Sequence, residues 1–212
     1  MMKNYQYIIA GLPDIALDFE NGSFDFNVVR NHILEHSVKK DIRLIDWVEF
    51  GLKEENLCNH FYRVASKSKN KFIREYFRFD LTLRNIQAAY VARKSQQNPE
   101  LFLVGNSTIT EALKTSKASD FGLSNDVEFA TRLIQILENP NILEKEQLLD
   151  QLRWNKANEI CTFNYFDNNV ILSFILKSHI LKRWSELDRK RGAILFRQLV
   201  EEVKGTYKLN KE

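Results

Sequence analysis

Two histidines have the spacing of metal ligands on a helix. His32 and His36 are four residues apart, so a helix would present both imidazoles on one face, as a zinc-binding helix does. No glutamate occupies the position that a metalloprotease motif uses for its general base, and no third ligand lies nearby. We therefore favour a pair of surface histidines over a metal site.

The other polar residues form no recognised catalytic or nucleotide-binding motif. The sequence contains neither of the glycine-rich phosphate loops, and its seven glycines are scattered. Cys58 and Cys161 lack metal-ligand spacing, and His179 lies in an apolar stretch, which is typical of a core residue. We expect a protein that is not an enzyme, with free thiols and no nucleotide, metal or other cofactor.

The strongest helical pattern spans residues 72–94 and contains three polar residues of interest: Asp80, Arg84 and Asn85. Its large apolar residues alternate at steps of three and four, which predicts one continuous helical stripe. A second apolar row beside it predicts contact with several neighbouring helices. The first stripe consists of Phe72, Tyr76, Phe79, Leu83, Ile86 and Tyr90.

Asp80 and Arg84 are four residues apart in the order that favours an ion pair along a helix. One interpretation is a solvated bridge, worth about 0–1 kcal/mol. The other is a hydrogen-bond network between helices that includes Arg84 and Asn85, because polar groups among apolar positions must find partners. The sequence leaves both open, and neither describes an active site.

The densest basic cluster lies near the C-terminus, and its five members are candidate partner contacts. They would suit an acidic protein surface, anionic lipid headgroups or nucleic acid. The alternative is a solvated helix end, which we favour because nearby acidic residues dilute the cluster. The cluster comprises Lys182, Arg183, Arg189, Lys190 and Arg191.

The composition predicts an all-α fold. Only seven glycines and three prolines occur in 212 residues, which favours long helices over a sandwich or barrel. The aromatic and β-branched residues 5–10 are the one strand candidate. The net charge of +3 arises from interspersed opposite charges, so it indicates no nucleic-acid partner. The longest apolar run is too short to cross a membrane.

A break in the pattern between residues 95 and 107 divides the chain. Gln96, Gln97, Asn98 and Pro99 stop the central helix, and a short apolar cluster follows. We predict an antiparallel multi-helix bundle of two packed subdomains, residues 1–98 and 99–212, which could also form one continuous domain. Within it, Ser37 and Ser124 are predicted helix caps. Residues 54–65 and 108–115 are predicted helices, and Gly51 is predicted to interrupt the helix that follows Ser37.

Three segments carry a family resemblance: residues 83–94 (LRNIQAAYVARK), 5–13 (YQYIIAGLP) and 163–166 (FNYF), the last followed by an apolar helix that ends in Arg183 and Trp184. The chain resembles a small bacterial family of unknown function encoded beside V/A-type ATP synthase genes. That family is itself similar to the C-type subunits of V-type ATPases, which are called d-type in eukaryotes.

The resemblance implies a non-catalytic adaptor between the central stalk and the membrane rotor ring of a rotary ATPase. Its partners would be other ATPase subunits, and it would be cytoplasmic and meet the inner membrane only through the complex. The chain is short for a C-type ATPase adaptor, which leaves open a partial or accessory version. The alternative is a helical regulatory or nucleic-acid-associated module that uses the basic region.

Overall fold

A computed structural model describes residues 5–19 and 25–187 together with residue 200, and within these residues the chain is built from helices alone. The predicted all-α fold is confirmed. The helices are α1 (Tyr5–Ala10), α2 (Phe26–His36), α3 (Lys39–Gly51), α4 (Asn59–Ala65), α5 (Lys71–Lys94), α6 (Thr108–Thr115), α7 (Ala130–Glu138), α8 (Ile142–Cys161) and α9 (Asn168–Ser185).

The predicted central helix is α5, which packs against α3, α4, α6, α7, α8 and α9. It begins after Asn70, whose side-chain oxygen accepts a hydrogen bond from the backbone N–H of Ile73 at 2.9 Å. Five of the six predicted stripe residues are buried. The stripe is wide because α5 contacts helices on several sides, so burial of its apolar arc stabilises the whole bundle.

The second half of the described chain is organised around the antiparallel pair α8 and α9. Helix α9 packs against α8 and also against α1, α2, α3 and α5. This explains why its sequence is apolar nearly all round and why even Ser173 and Ser178 are buried. None of the described helices has the length and apolar character that a bilayer crossing requires.

The prediction of a strand at residues 5–10 is wrong, because this segment forms α1. Tyr5, Ile8, Ile9 and Leu12 pack on the core, and their spacing of three, one and three residues is that of one helical face. The β-branched pair Ile8 and Ile9 favours a strand locally. Packing of that face against α2 and α9 overrides the preference.

Two predicted caps and one helix boundary also need correction. Helix α3 follows Val38 and α7 follows Phe129, and neither start has a side-chain cap, so Ser37 and Ser124 are not N-caps. The helix predicted over residues 54–65 is a 3₁₀ turn, Glu54–Asn56, followed by α4.

One hydrophobic cluster runs from Ile8 to Trp184 across the predicted subdomain boundary. Contacts between α5 and α8, and between α3 and α9, join the two halves. The division at residues 98 and 99 stays a prediction.

Candidate functional site

The structure brings Asp80 and Arg84 together at the edge of the core. The Asp80 carboxylate is buried and accepts hydrogen bonds from Arg84 Nε at 3.0 Å and from the Tyr62 hydroxyl at 2.7 Å. Arg84 also reaches the exposed carboxylate of Glu54 at 3.3 Å. The pair therefore links α5 to α4 and to the turn after α3, rather than lying free on the surface.

A second buried carboxylate, Asp150 of α8, extends this network. It accepts hydrogen bonds from Arg153 at 2.9 Å, from Arg183 and from the indole N–H of Trp184 at 2.7 Å. Arg153 Nε lies 4.0 Å from Asp80, so it stands between the two carboxylates. We call Asp80, Arg84, Asp150, Arg153 and Arg183 the arginine–carboxylate network.

This network surrounds a cleft of about 290 Å³. Burial raises the pKa of Tyr76, which lines the cleft, and the neighbouring Asp80 raises it further. Burial and Asp80 likewise raise the pKa of Tyr62. Two tyrosines whose neutral form is favoured and two carboxylates that are paired with guanidinium groups therefore lie in or beside the cleft, and their contacts connect α4, α5, α8 and α9.

Asn85 lies outside the arginine–carboxylate network, although it neighbours Arg84 in sequence. Its side-chain amide donates to the carbonyl of Val104 and accepts from the N–H of Val104, both at 2.9 Å. This pair of hydrogen bonds attaches the segment after α5 to the helix. The sequence predicted a buried polar role for Asn85 but provided no signal for its partner.

Sequence reasoning missed a further ion-pair cluster centred on Glu49. Its carboxylate accepts two hydrogen bonds from Arg30, at 2.5 and 2.7 Å, and lies 3.4 Å from His179 Nε2. Burial alone would raise the pKa of Glu49, but the hydrogen bonds and positive charge of its partners outweigh it and lower the pKa to about 2. The cluster joins α2, α3 and α9.

The two histidines that could have bound a metal lie side by side. The ring centroids of His32 and His36 are 4.5 Å apart, and Tyr7 packs against both rings. His36 Nδ1 is 2.9 Å from the carbonyl of His32, which can only accept, so this nitrogen carries the proton. Within the described ranges, no group of three or more metal-ligating side chains is close enough to hold an ion.

Only part of the predicted basic cluster falls within the described residues. Lys182 lies 5.2 Å from the ring centre of Phe26 and 3.8 Å from Glu186. Arg183 is bound to Asp150, so its guanidinium has a structural partner. Arg189, Lys190 and Arg191 lie outside the described residues.

The most exposed aromatic group is the loop between α8 and α9. Phe163, Tyr165 and Phe166 are 85%, 70% and 56% exposed. Phe163 adopts a left-handed backbone conformation, with φ of 68°, and the Asn164 side chain donates to the carbonyl of Ile160 at 3.0 Å. The sequence could have indicated this surface, because three aromatic residues fall within four positions of a turn.

Lys71 at the start of α5 donates to the carbonyl of Ile160, so the aromatic loop lies beside that end of the helix. A second exposed apolar group lies near the other end of α5. Val91 on the helix and Leu101 and Phe102 in the following segment are 58%, 77% and 48% exposed. The 3₁₀ turn Pro99–Leu101 packs against α5, and the Asn85–Val104 bonds hold the segment that follows it. Both ends of the central helix therefore present large apolar side chains to solvent.

Comparison with known proteins agrees with one part of the predicted resemblance. No curated protein and no solved structure gives a significant match to the chain. A family model described as "Protein of unknown function (DUF2764)" matches residues 49–206, a range that includes α5, the arginine–carboxylate network and the exposed aromatic loop. Because this match covers most of the sequence, the chain belongs to the DUF2764 family.

Proposed function

We propose that this protein is a non-catalytic helical adaptor that holds partners at its two ends. The observation that carries the proposal is the exposure of large apolar side chains at both ends of α5. A helix of 24 residues is about 36 Å long, so the two groups are far enough apart to bind different partners. Exposed apolar groups of this kind are typical of interaction surfaces.

The interior suits an element that transmits force. The arginine–carboxylate network joins α5, α8 and α9, and the Glu49 cluster joins α2, α3 and α9. Several helices are thus tied by charged hydrogen bonds as well as by the apolar core, which favours movement as one body.

The more specific proposal is that the adaptor works in a V/A-type rotary ATPase, between the central stalk and the membrane rotor ring. It rests on the sequence resemblance of residues 5–13, 83–94 and 163–166. Residues 83–94 contribute to the core, whereas residues 163–166 form the exposed aromatic loop. The resembling segments therefore include both a structural part and a surface available to a partner.

Co-purification from the native host tests this function. The tagged protein should recover rotary ATPase subunits in mild detergent without added nucleotide or metal. Leu101→Ser combined with Phe102→Ser should reduce this recovery, because it removes apolar contact area at one end. Val28→Ser is the matched control, since Val28 is similarly exposed but lies on α2.

A different outcome of the co-purification would contradict the adaptor proposal. If no ATPase subunit is recovered and the protein instead binds DNA or RNA with strong salt dependence, the adaptor proposal is wrong. The nucleic-acid-associated alternative would then replace it.

A further inference from the structure

Hydrogen bonds gather several elements at the end of the bundle that carries the aromatic loop. Lys71 Nζ donates to the carbonyl of Ile160 at 3.4 Å, which places the start of α5 beside the end of α8. The side-chain amide of Asn168 donates to Asp41 at 3.2 Å, which places the start of α9 beside the start of α3. Asn70 also donates to Asn168 at 3.3 Å.

These junctions bring a group of lysines to the same end as the aromatic loop. Lys39 and Lys40 begin α3, Lys67 and Lys69 lie in the turn before α5, and Lys71 begins α5. All five are exposed, and none forms an ion pair with another described residue. We call these lysines together with Phe163, Tyr165 and Phe166 the aromatic–lysine end.

The acidic groups at this end are mostly engaged with other partners. Asp41 is buried and accepts from Tyr5 and Asn168, and Asp167 caps the first turn of α9. Glu159 pairs with Lys156 at 2.5 Å, while Glu35 is exposed at the end of α2. Among the residues that the structure describes, the exposed charge of the aromatic–lysine end is therefore predominantly positive.

The residue types distinguish between two kinds of anionic partner. Protein interfaces are enriched in arginine and depleted in lysine. At this end the exposed positive charge is mostly lysine, with Arg63 in the last turn of α4 as an exposed arginine beside the five lysines. Each lysine near an anionic membrane surface strengthens binding electrostatically, and aromatic rings favour the headgroup region. The aromatic–lysine end combines phenylalanine and tyrosine with lysines that have no ion-pair partner among the described residues. This composition is therefore more typical of a surface that binds anionic lipid than of one that binds an acidic protein.

The backbone also presents the aromatic side chains outward. Phe163 has its left-handed conformation directly after α8, where the Asn164 side chain satisfies the carbonyl of Ile160. Such a conformation is unfavourable for a residue with a side chain. The loop is thus held in a shape that leaves Phe163 exposed rather than packed on the core.

We propose that the aromatic–lysine end binds the surface of an anionic phospholipid membrane directly, with the aromatic side chains at headgroup depth and the lysines against lipid phosphates. This goes beyond the adaptor function, because it assigns one of the two exposed ends to the membrane instead of to a protein, and it does not depend on any ATPase partner. A chain bound in this way would contact the membrane itself and not only through a complex.

Vesicle sedimentation with the purified full-length protein tests the proposal. The protein should sediment with vesicles of phosphatidylcholine containing phosphatidylglycerol and stay in solution with phosphatidylcholine alone. Raising salt from about 0.1 M to about 1 M, which shortens the Debye length from about 10 Å to about 3 Å, should release it. A Phe163→Trp variant should show a blue shift in fluorescence on the anionic vesicles.

Two sets of substitutions separate the contributions. Changing Phe163 and Phe166 to Ser should lower the partition coefficient at least about tenfold, and changing Lys67 and Lys69 to Gln should do the same. The matched controls lie near the other end of α5: Leu101→Ser with Phe102→Ser for the aromatic set, and Lys94→Gln with Lys117→Gln for the lysines. These controls should bind vesicles like the unchanged protein.

Folding is checked by circular dichroism, and all the substituted side chains are exposed. The proposal is overturned if folded protein fails to sediment with anionic vesicles, or if the control variants lose binding as strongly as the test variants. Binding to an acidic peptide or to nucleic acid without vesicle binding would also overturn it. Recovery of ATPase subunits is a separate measurement, so either proposal can fail alone.

Discussion

Asn85 and Val104 exchange two hydrogen bonds of 2.9 Å between a side-chain amide and a backbone peptide group. The asparagine side chain thereby provides the two hydrogen bonds that a neighbouring strand would otherwise give to the Val104 peptide groups. This contact holds the segment after α5 along the central helix and positions the exposed Leu101 and Phe102. A buried amide that satisfies both of its hydrogen-bonding functions in this way is sensitive to truncation.

Asn85→Ala should lower the free energy of unfolding by about 1–3 kcal/mol, because it leaves the N–H and carbonyl of Val104 without their partners. Urea denaturation measures the loss, and hydrogen exchange should show faster exchange at the Val104 amide. Gln87→Ala is the control, at a half-buried position of the same helix. It should have little effect on the free energy of unfolding or on exchange of the Val104 amide. Equal effects of the two substitutions would contradict the role assigned to Asn85.

The core stripe of α5 leads to a second prediction. Leu83 is fully buried and Phe79 nearly so, and either substitution by Ala should cost about 2–5 kcal/mol through lost burial and the cavity left behind. Val91→Ala on the same helix is the control, since Val91 is exposed. Thermal or chemical denaturation checks the difference; losses below about 1 kcal/mol at both core sites would mean that the stripe is not core.

The third prediction concerns the charge of Asp150. Asp150→Asn keeps the side-chain size but removes the carboxylate that faces Arg153, Arg183 and Trp184. We expect a loss of about 2–4 kcal/mol in the free energy of unfolding, because Arg153, whose side chain is 14% exposed, loses its closest counter-charge. Glu159→Gln, which removes an exposed partner of Lys156, should leave stability close to that of the unchanged protein.

Urea titrations of both variants provide the comparison. If Asp150→Asn is as harmless as Glu159→Gln, the arginine–carboxylate network does not lock the helices together. If Arg153→Gln restores stability in the Asp150→Asn background, the lost energy came from the uncompensated charge.

Glu49 predicts how stability depends on pH. Its pKa falls from an ordinary value of 4.5 to about 2 in the folded protein, so the unfolded chain binds more protons between these values. The stabilisation from Glu49 is therefore fully present above about pH 4.5 and is lost as the pH falls toward 2. Because the pair with Arg30 is partly exposed, we expect a contribution of about 1–3 kcal/mol.

Denaturant unfolding at a series of pH values measures this effect. Glu49→Gln should unfold more easily at neutral pH and lose less further stability on acidification than the unchanged protein. Glu55→Gln, at an exposed position of the turn after α3, should keep the original pH profile. A Glu49→Gln variant with an unchanged acid slope would exclude Glu49 as the titrating group.

Many of the helices were predictable because their apolar residues recur every three to four positions along the sequence. The bounds of α6 and the position of α5 follow from residues that must share one face, and this depends only on 3.6 residues per turn. The same rule failed for residues 5–10, where adjacent β-branched residues favoured a strand. There, burial of Tyr5, Ile8 and Ile9 against two other helices decides the conformation.

Apolar spacing and the scarcity of turn residues are properties of neighbouring positions, so they were enough to predict an all-α chain whose core stripe runs along α5. Which distant residues meet follows from the fold and not from such local patterns. The local pattern predicts a helix end at Gly51, yet a Cβ there would overlap the rings of Phe61 and Phe77, so its absence is a packing requirement. The partners of Asp150 lie up to 34 residues away, and Lys71 meets a carbonyl 89 residues away. Such contacts depend on how helices are arranged in space, and no local pattern encodes that arrangement.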